Sequence, residues 1–304
     1  MKNKKIKQQV ALLAVLAAPT IATAQTLYSE DFNSGYTNNA TLHGQNGWTG
    51  FGRFNDNNGT DGTHDILVRS RADIHGGAAN DYAVQVYGES DYGGRIGAYQ
   101  DFANTIDLNN YSSVKLSVDV LSPRFYNNDS PAAGQGGINP ELLFLNYHIG
   151  KPDAVVNNYF GANINYNDPN GQSPTIPDNA TLQGVHRSPG YSGVVAASPS
   201  LPSNVWVTMT YELNVTDRTY QVGYSYTGGS FTSGDYVLPA GIDFSTFSDQ
   251  SFLHLSGDAE GDGQGTFYKE AWDNIVVSGT AVPEPSTSLL SLLAITFLFK
   301  RNRN

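Results

Sequence analysis

Val114-Lys115-Leu116-Ser117-Val118-Asp119-Val120 alternates apolar and polar residues without a break. Successive side chains of a strand point to opposite faces. Val114, Leu116, Val118 and Val120 therefore share one face and meet a core, while Lys115, Ser117 and Asp119 meet water. A helix of 3.6 residues per turn would scatter the same four apolar residues around its axis. Working outward, Asp65–Arg69 and Tyr82–Tyr87 read as strands on the N-terminal side. Trp206–Leu213, Tyr220–Tyr226, Phe252–Leu255 and Trp272–Val277 read as strands on the C-terminal side. Turn clusters such as Asn57-Asn58-Gly59 and Thr227-Gly228-Gly229 punctuate the series. No segment between residues 25 and 281 sustains a helical period over three turns. Many short strands separated by turns predict an all-β fold. The expectation is a single antiparallel β-sandwich over residues 25–281. Asn127–Gln135 and Asn167–Asp178, rich in Pro, Gly and Asn, are expected to be surface loops within that domain.

The two ends read differently. Lys2, Lys4, Lys5 and Lys7 precede the apolar run Val10–Ala18, and Ala22-Thr23-Ala24 is an A-x-A cleavage pattern. These three parts in this order predict a signal peptide over residues 1–24, cut by signal peptidase to leave Gln25 first. At the other end, Val282-Pro283-Glu284-Pro285-Ser286 is followed by apolar Leu289–Phe299 and then by Lys300-Arg301-Asn302-Arg303. The apolar stretch is short against the ~20 residues of a spanning helix, which predicts a short hydrophobic helix and a transient membrane insertion. The order of motif, apolar run and basic cluster in residues 282–304 resembles the PEP-CTERM sorting signal. That resemblance implies a Gram-negative source and recognition by an exosortase at Pro283, Glu284 and Pro285. It further implies delivery to the cell surface or extracellular matrix. An ordinary C-terminal anchor is the alternative, and either reading takes the chain out of the cytoplasm.

Charge narrows the partners. The chain carries 17 Lys and Arg against 28 Asp and Glu. Without the two ends, 10 basic and 27 acidic residues remain, a net charge of −17. So acidic a body is unsuited to nucleic acid or an anionic lipid surface. There are no cysteines, which excludes disulfides, thiolate metal sites and cysteine nucleophiles.

Short motifs mark both ends of the body. Tyr28-Ser29-Glu30-Asp31-Phe32-Asn33 opens it, Gly44-Gln45-Asn46-Gly47-Trp48 follows, and Asp273-Asn274-Ile275-Val276-Val277 closes it. This set resembles exported proteins with a concanavalin A-like (LamG-like) jelly roll, and jelly-roll carbohydrate-binding modules. In such modules a structural calcium often ties the first strand to the last. The resemblance implies Glu30 or Asp31, together with Asp273, as ligands of that ion. The alternative is that these three are solvated strand-end residues. Two acidic loops, Asp56–Asp65 and Asp258–Asp262, also carry oxygens at short spacings, but Asp and Gly are equally what turns require.

Polysaccharide is the partner that the aromatic content suggests, since the chain holds 18 Tyr and 14 Phe. Tyr220, Val222, Tyr224 and Tyr226 share one face of a strand. Tyr220, Tyr224 and Tyr226 are thus a candidate sugar platform, with core packing as the competing reading. Trp48, Trp206 and Trp272 are expected in the core. Hydrolysis finds little support, because the E-x-D-x-x-E pattern of laminarinase-like enzymes is absent and the glutamates are scattered. A jelly-roll lyase would need a Tyr or His base and an Arg. Arg124, Tyr147, His148 and His186 are residues of the right type without a motif to join them. The sequence therefore predicts an exported, non-enzymatic protein that binds polysaccharide. A lyase or glycan hydrolase, and a purely structural matrix protein, stand as alternatives.

Overall fold

A computed structural model describes residues 23–51, 64–74, 77–89, 95–101, 106–121, 141–145, 159–166, 180–188, 191–196, 201–202, 205–240, 244, 252–258 and 266–282. The chain divides into two compact units, Thr26–Gly279 and, separately, Met1–Gln25 with Thr280–Asn304. Of the second unit only residues 23–25 and 280–282 are described.

The larger unit is built from two sheets. The strands of the first are β1 (Ala24–Glu30), β2 (Ala40–Thr41), β4 (His64–Ser70), β5 (Tyr82–Glu89), β7 (Tyr111–Leu121), β12 (Trp206–Asn214), β13 (Thr219–Tyr226), β14 (Gly229–Thr232), β15 (Tyr236–Val237) and β17 (Thr266–Ala281). They run in the order β14-β13-β12-β7-β17-β5-β4-β2, with β1 beside β17 and β15 beside β13. The second sheet holds β3 (Thr49–Phe51), β6 (Arg95–Asp101), β8 (Glu141–Leu145), β9 (Tyr159–Tyr166), β10 (Ala180–Ser188), β11 (Tyr191–Ala196) and β16 (Phe252–Asp258). Its order is β11-β10-β9-β8-β16-β6-β3. The registers described within both sheets, such as β7 with β12 and β9 with β10, are antiparallel. Among the described residues a short α-helix, α1 (Arg71–Ile74), follows β4, and a single 3-10 turn, Leu108–Asn110, precedes β7.

The seven strands expected from alternation are β4, β5, β7, β12, β13, β16 and β17, and each extends beyond the expected range, β17 most, since it runs over Thr266–Ala281 where Trp272–Val277 was expected. On β7 the four alternating residues Val114, Leu116, Val118 and Val120 are buried, while Lys115 is exposed. Facing them from β12 are Val207, Met209, Tyr211 and Leu213, also buried. The apolar cluster continues into the second sheet through Ala98, Ala162 and Leu182. The two sheets therefore enclose one core, which makes the fold an all-β antiparallel sandwich. One close approach between them passes through Gly184 of β10. A Cβ there would lie 2.3 Å from Cε2 of Tyr220 on β13, so only glycine leaves room for that ring.

β17 is irregular where it passes β5. Its register shifts between Tyr268 and Ala271. Asn274 then takes a left-handed φ of 49°, a conformation that Asn tolerates better than most residues. Trp272 and Ile275 are both fully buried although an odd number of bonds separates them. Asp273 points away from Trp272 to the outer face of the sheet, and the left-handed residue Asn274 returns Ile275 to the core.

Candidate functional site

The opening segment folds on itself. Glu30 ends β1, and its Oε1 accepts the Phe32 amide at 2.9 Å. Its Oε2 accepts the Tyr36 hydroxyl at 2.7 Å, and that hydroxyl in turn accepts Trp48 Nε1 at 2.9 Å. Phe32 is fully buried, with ring centroids 5.4 Å from Tyr36 and 5.7 Å from Trp48. Burial first, and then the Glu30 carboxylate, hold the Tyr36 phenol well above its ordinary range. Gly44-Gln45-Asn46-Gly47-Trp48 closes the loop: Trp48 donates its amide to Gln45 O at 2.9 Å, and Gly44 donates to Trp48 O at 2.8 Å. Gln45 Oε1 accepts the Thr37 amide at 2.8 Å, and Gln100 of β6 bridges Tyr28 and the Asn46 carbonyl. The two opening motifs thus form one knot of packing and hydrogen bonds at the sandwich edge.

A second cluster lies on the outer face of the first sheet. Asp273 is fully buried. Its Oδ2 accepts Arg71 Nη1 at 2.9 Å, and its Oδ1 accepts the Asn274 amide at 2.7 Å. Arg71 comes from α1, lies 3.6 Å from Asp81 through Nε, and sits 3.9 Å from the Trp206 ring centroid. Asn274 Nδ2 donates to Asp119 Oδ2 at 2.9 Å, and Thr208 donates to Asp119 Oδ1 at 2.6 Å. One polar network therefore joins β17, β7 and β12. Beside it, Arg69 of β4 donates to Gln85 of β5 at 2.7 Å. Burial dominates at Asp273 and pushes its carboxyl from the ordinary 3.8 up to about 7, although Asn274 and Arg71 pull it down.

Glu30, Asp31 and Asp273, the residues that the resemblance implies as calcium ligands, each have protein partners in this structure. Both oxygens of Glu30 accept protein donors, Asp31 accepts the amide of Asn33 in its own turn, and Asp273 faces Arg71. A cation needs about six to eight oxygens, whereas a guanidinium already occupies the place of the charge at Asp273. Among the described residues no group of three acids or histidines is arranged to hold a metal. Of the two acidic loops, residues 56–63 and 259–262 lie outside the described residues.

The tyrosine stripe faces inward. Tyr220 is buried and stacks on Tyr211 with ring centroids 5.0 Å apart. Tyr224 is 8% exposed. Of the three candidate platform residues only Tyr226 is half-buried, 6.3 Å from Tyr224 in ring centroids. Phe231 of β14, also half-buried, stacks on Tyr224 at 5.8 Å. Trp48 and Trp272 are buried as expected, but Trp206 is half-buried beneath Arg71.

Arg124, Tyr147 and His148 lie outside the described residues, and His186 stands in β10 opposite Phe160 and Gly193. Ala24 and Gln25 begin β1 with exposed side chains, whereas Ala22, Pro283, Glu284 and Pro285 are outside the described set. Among the described residues no helix is long and apolar enough to cross a membrane. The residue that sequence reasoning missed is Arg71. It lies 202 positions from Asp273, and nothing in Ser70-Arg71-Ala72-Asp73 announces a partner so far along the chain.

No protein-family profile matches the chain, and no curated protein matches it. Solved structures similar to it include winged bean acidic lectin complexed with methyl-α-D-galactose. That comparison has 10% identity and a TM-score of 0.48, covering 86% of this chain and 100% of the lectin. Lectin II from Ulex europaeus is similar at 10% identity and a TM-score of 0.45, covering 84% of this chain and 100% of that one. SCLam, a non-specific endo-β-1,3(4)-glucanase from family GH16, is similar at 10% identity and a TM-score of 0.44, with 86% and 94% covered.

Proposed function

We propose that the chain is the precursor of an exported surface or matrix protein whose sandwich binds extracellular polysaccharide without cleaving it. Signal peptidase cuts between Ala24 and Gln25, and an exosortase recognises Pro283-Glu284-Pro285 after transient insertion of the apolar tail. The ordered features of the two ends support the route. The high negative charge of the body supports a neutral, extracellular partner over nucleic acid or anionic lipid.

The observation that carries the sugar-binding part is the half-buried pair Tyr226 and Phe231. They stand on β13 and on β14, the end strand of its sheet, on either side of an exposed Thr227–Gly229 turn. The sequence stripe thereby narrows to one tyrosine, joined by a phenylalanine that alternation alone did not single out. An aromatic ring packed on one side and wet on the other suits the apolar face of a pyranose.

The test is a glycan array on the full chain and its Tyr226→Ala variant, with reducing-end and unsaturated-uronate assays run in parallel. Retention of a glycan by the native chain, weakened at least about tenfold in the variant (~1.4 kcal/mol), is expected. Release of reducing ends would replace this reading with a hydrolase, and unsaturated uronate would replace it with a lyase. Failure to retain any glycan would leave a structural matrix protein.

A further inference from the structure

We infer that β11 is the strand through which two copies of this chain pair, edge to edge about a twofold axis, so that their second sheets run on as one. A strand at the end of a sheet leaves a row of backbone N–H and C=O groups unpaired, and proteins blunt such rows with short strands, bulges or charge. Four strands stand at the ends of the two strand orders: β14, β2, β11 and β3. β2 has two residues and β3 has three. β14 is bulged from its continuation in β15. Between the pairs Gly223–Thr232 and Tyr220–Tyr236, three residues of this edge lie against two of β13, and one of the three is Asp235. β1, which lies beside β17 off these orders, ends on the carboxylate of Glu30.

β11 has none of these devices. Its residues Tyr191–Ala196 hold an unbroken register with Gln183–Ser188 of β10, and among the described residues they pair with β10 alone. On the free side every second residue turns out both its N–H and its C=O. Tyr191, Val194 and Val195 are of types that favour strands. Pro189 and Pro199 lie just outside this stretch and, having no N–H to donate, limit the pairing to it.

Charge indicates the occupant. With a net charge of −17 between its two ends, the chain meets a second copy with like-charge repulsion over most approaches. The sequence between Arg187 and Glu212 has no charged residue. Within β9, β10 and β11 the one formal charge is Arg187, whose partner across the ladder is Ser192. In an antiparallel pair of β11 strands the two copies of Arg187 stand at least three strand spacings apart, about 14 Å. That exceeds the Debye length of ~8 Å in physiological salt. A twofold axis lets the same residues serve as both halves of the joint and closes it at two copies. Main-chain hydrogen bonds carry such a joint.

The chain has no cysteine, so a single introduced cysteine can be cross-linked only to another copy. Full chains carrying either Val194→Cys or Ser230→Cys are treated with a short bis-maleimide, and dimer is read on denaturing gels. Ser230 is exposed on β14, at the end of the other sheet, and association through the two chain ends would raise both yields alike. Val194→Cys is expected to give at least about tenfold more dimer, because paired strands stand about 5 Å apart. Adding Ser192→Lys brings like charges to the joint and should lower that yield at least about tenfold, since facing like charges cost several kcal/mol. Ser192→Gln, neutral and also long, should leave it high. Equal yields at Val194 and Ser230 would overturn the pairing, as would an equal response to Ser192→Lys and Ser192→Gln.

Discussion

Glu30 and Asp273 begin and end the same sheet, and both are carboxylates drawn away from water, yet they are satisfied by opposite means. Glu30 is half-buried and accepts two neutral donors from within six residues, Phe32 and Tyr36. Asp273 is fully buried and depends on a cation 202 positions away. A carboxylate left partly wet is held by ordinary hydrogen bonds, whereas one sealed from solvent calls for a countercharge or a proton. The comparison also shows how the two ends are held by the chain's own groups. Each acid has met its own requirement locally in space, and the sheet ladder between β1 and β17 connects the strands themselves.

The sharpest way to break this contrast is Arg71→Met. At pH 8, where Asp273 is ionised, the variant leaves a buried charge unanswered and should lose roughly 3–5 kcal/mol of unfolding free energy in urea titration. A loss below about 1 kcal/mol would mean that solvent already reaches Asp273. A smaller effect is expected at the other acid. Glu30→Gln keeps one acceptor oxygen and cannot serve both Phe32 and Tyr36, so about 1–2 kcal/mol should be lost. A loss equal to that of Arg71→Met would erase the distinction between the two sites. The smallest effect concerns metal. The destabilisation by Asp273→Ala should be the same in millimolar calcium and in chelator, as judged by melting midpoint. A larger loss in calcium would return Asp273 to the role of an ion ligand.

The architecture was legible wherever one strand face is buried and the other wet. Val114–Val120 and Trp206–Leu213 carry that alternation because β7 and β12 lie side by side over the core. The second sheet was far less visible: β9 (YFGANINY) and β10 (ATLQGVHRS) place small residues such as Ala162 and Gly184 where a core residue would otherwise mark the period. Period two also says which tyrosines share a face of β13, but not whether that face looks in or out. That choice belongs to the opposite sheet, through the gap at Gly184 that admits the Tyr220 ring. The Glu30 knot was half legible, since its motifs stand close in sequence while their meaning depends on Tyr36 and Trp48 meeting. The Arg71–Asp273 pair was invisible, because the left-handed residue Asn274, which breaks the alternation just after Asp273, leaves no periodic trace.

β1 lies beside β17, and only β1 and the loop after it stand before the rest of the fold in the chain. Because β17 also separates β7 from β5, this sheet has no centre until its final strand arrives. Contacts of such long sequence separation carry a large closure entropy and slow the search for the native arrangement. Before β17 arrives the first sheet can exist only as two separate ribbons, β14-β13-β12-β7 and β5-β4-β2. Residues 266–281 are the keystone that turns the two ribbons into one surface.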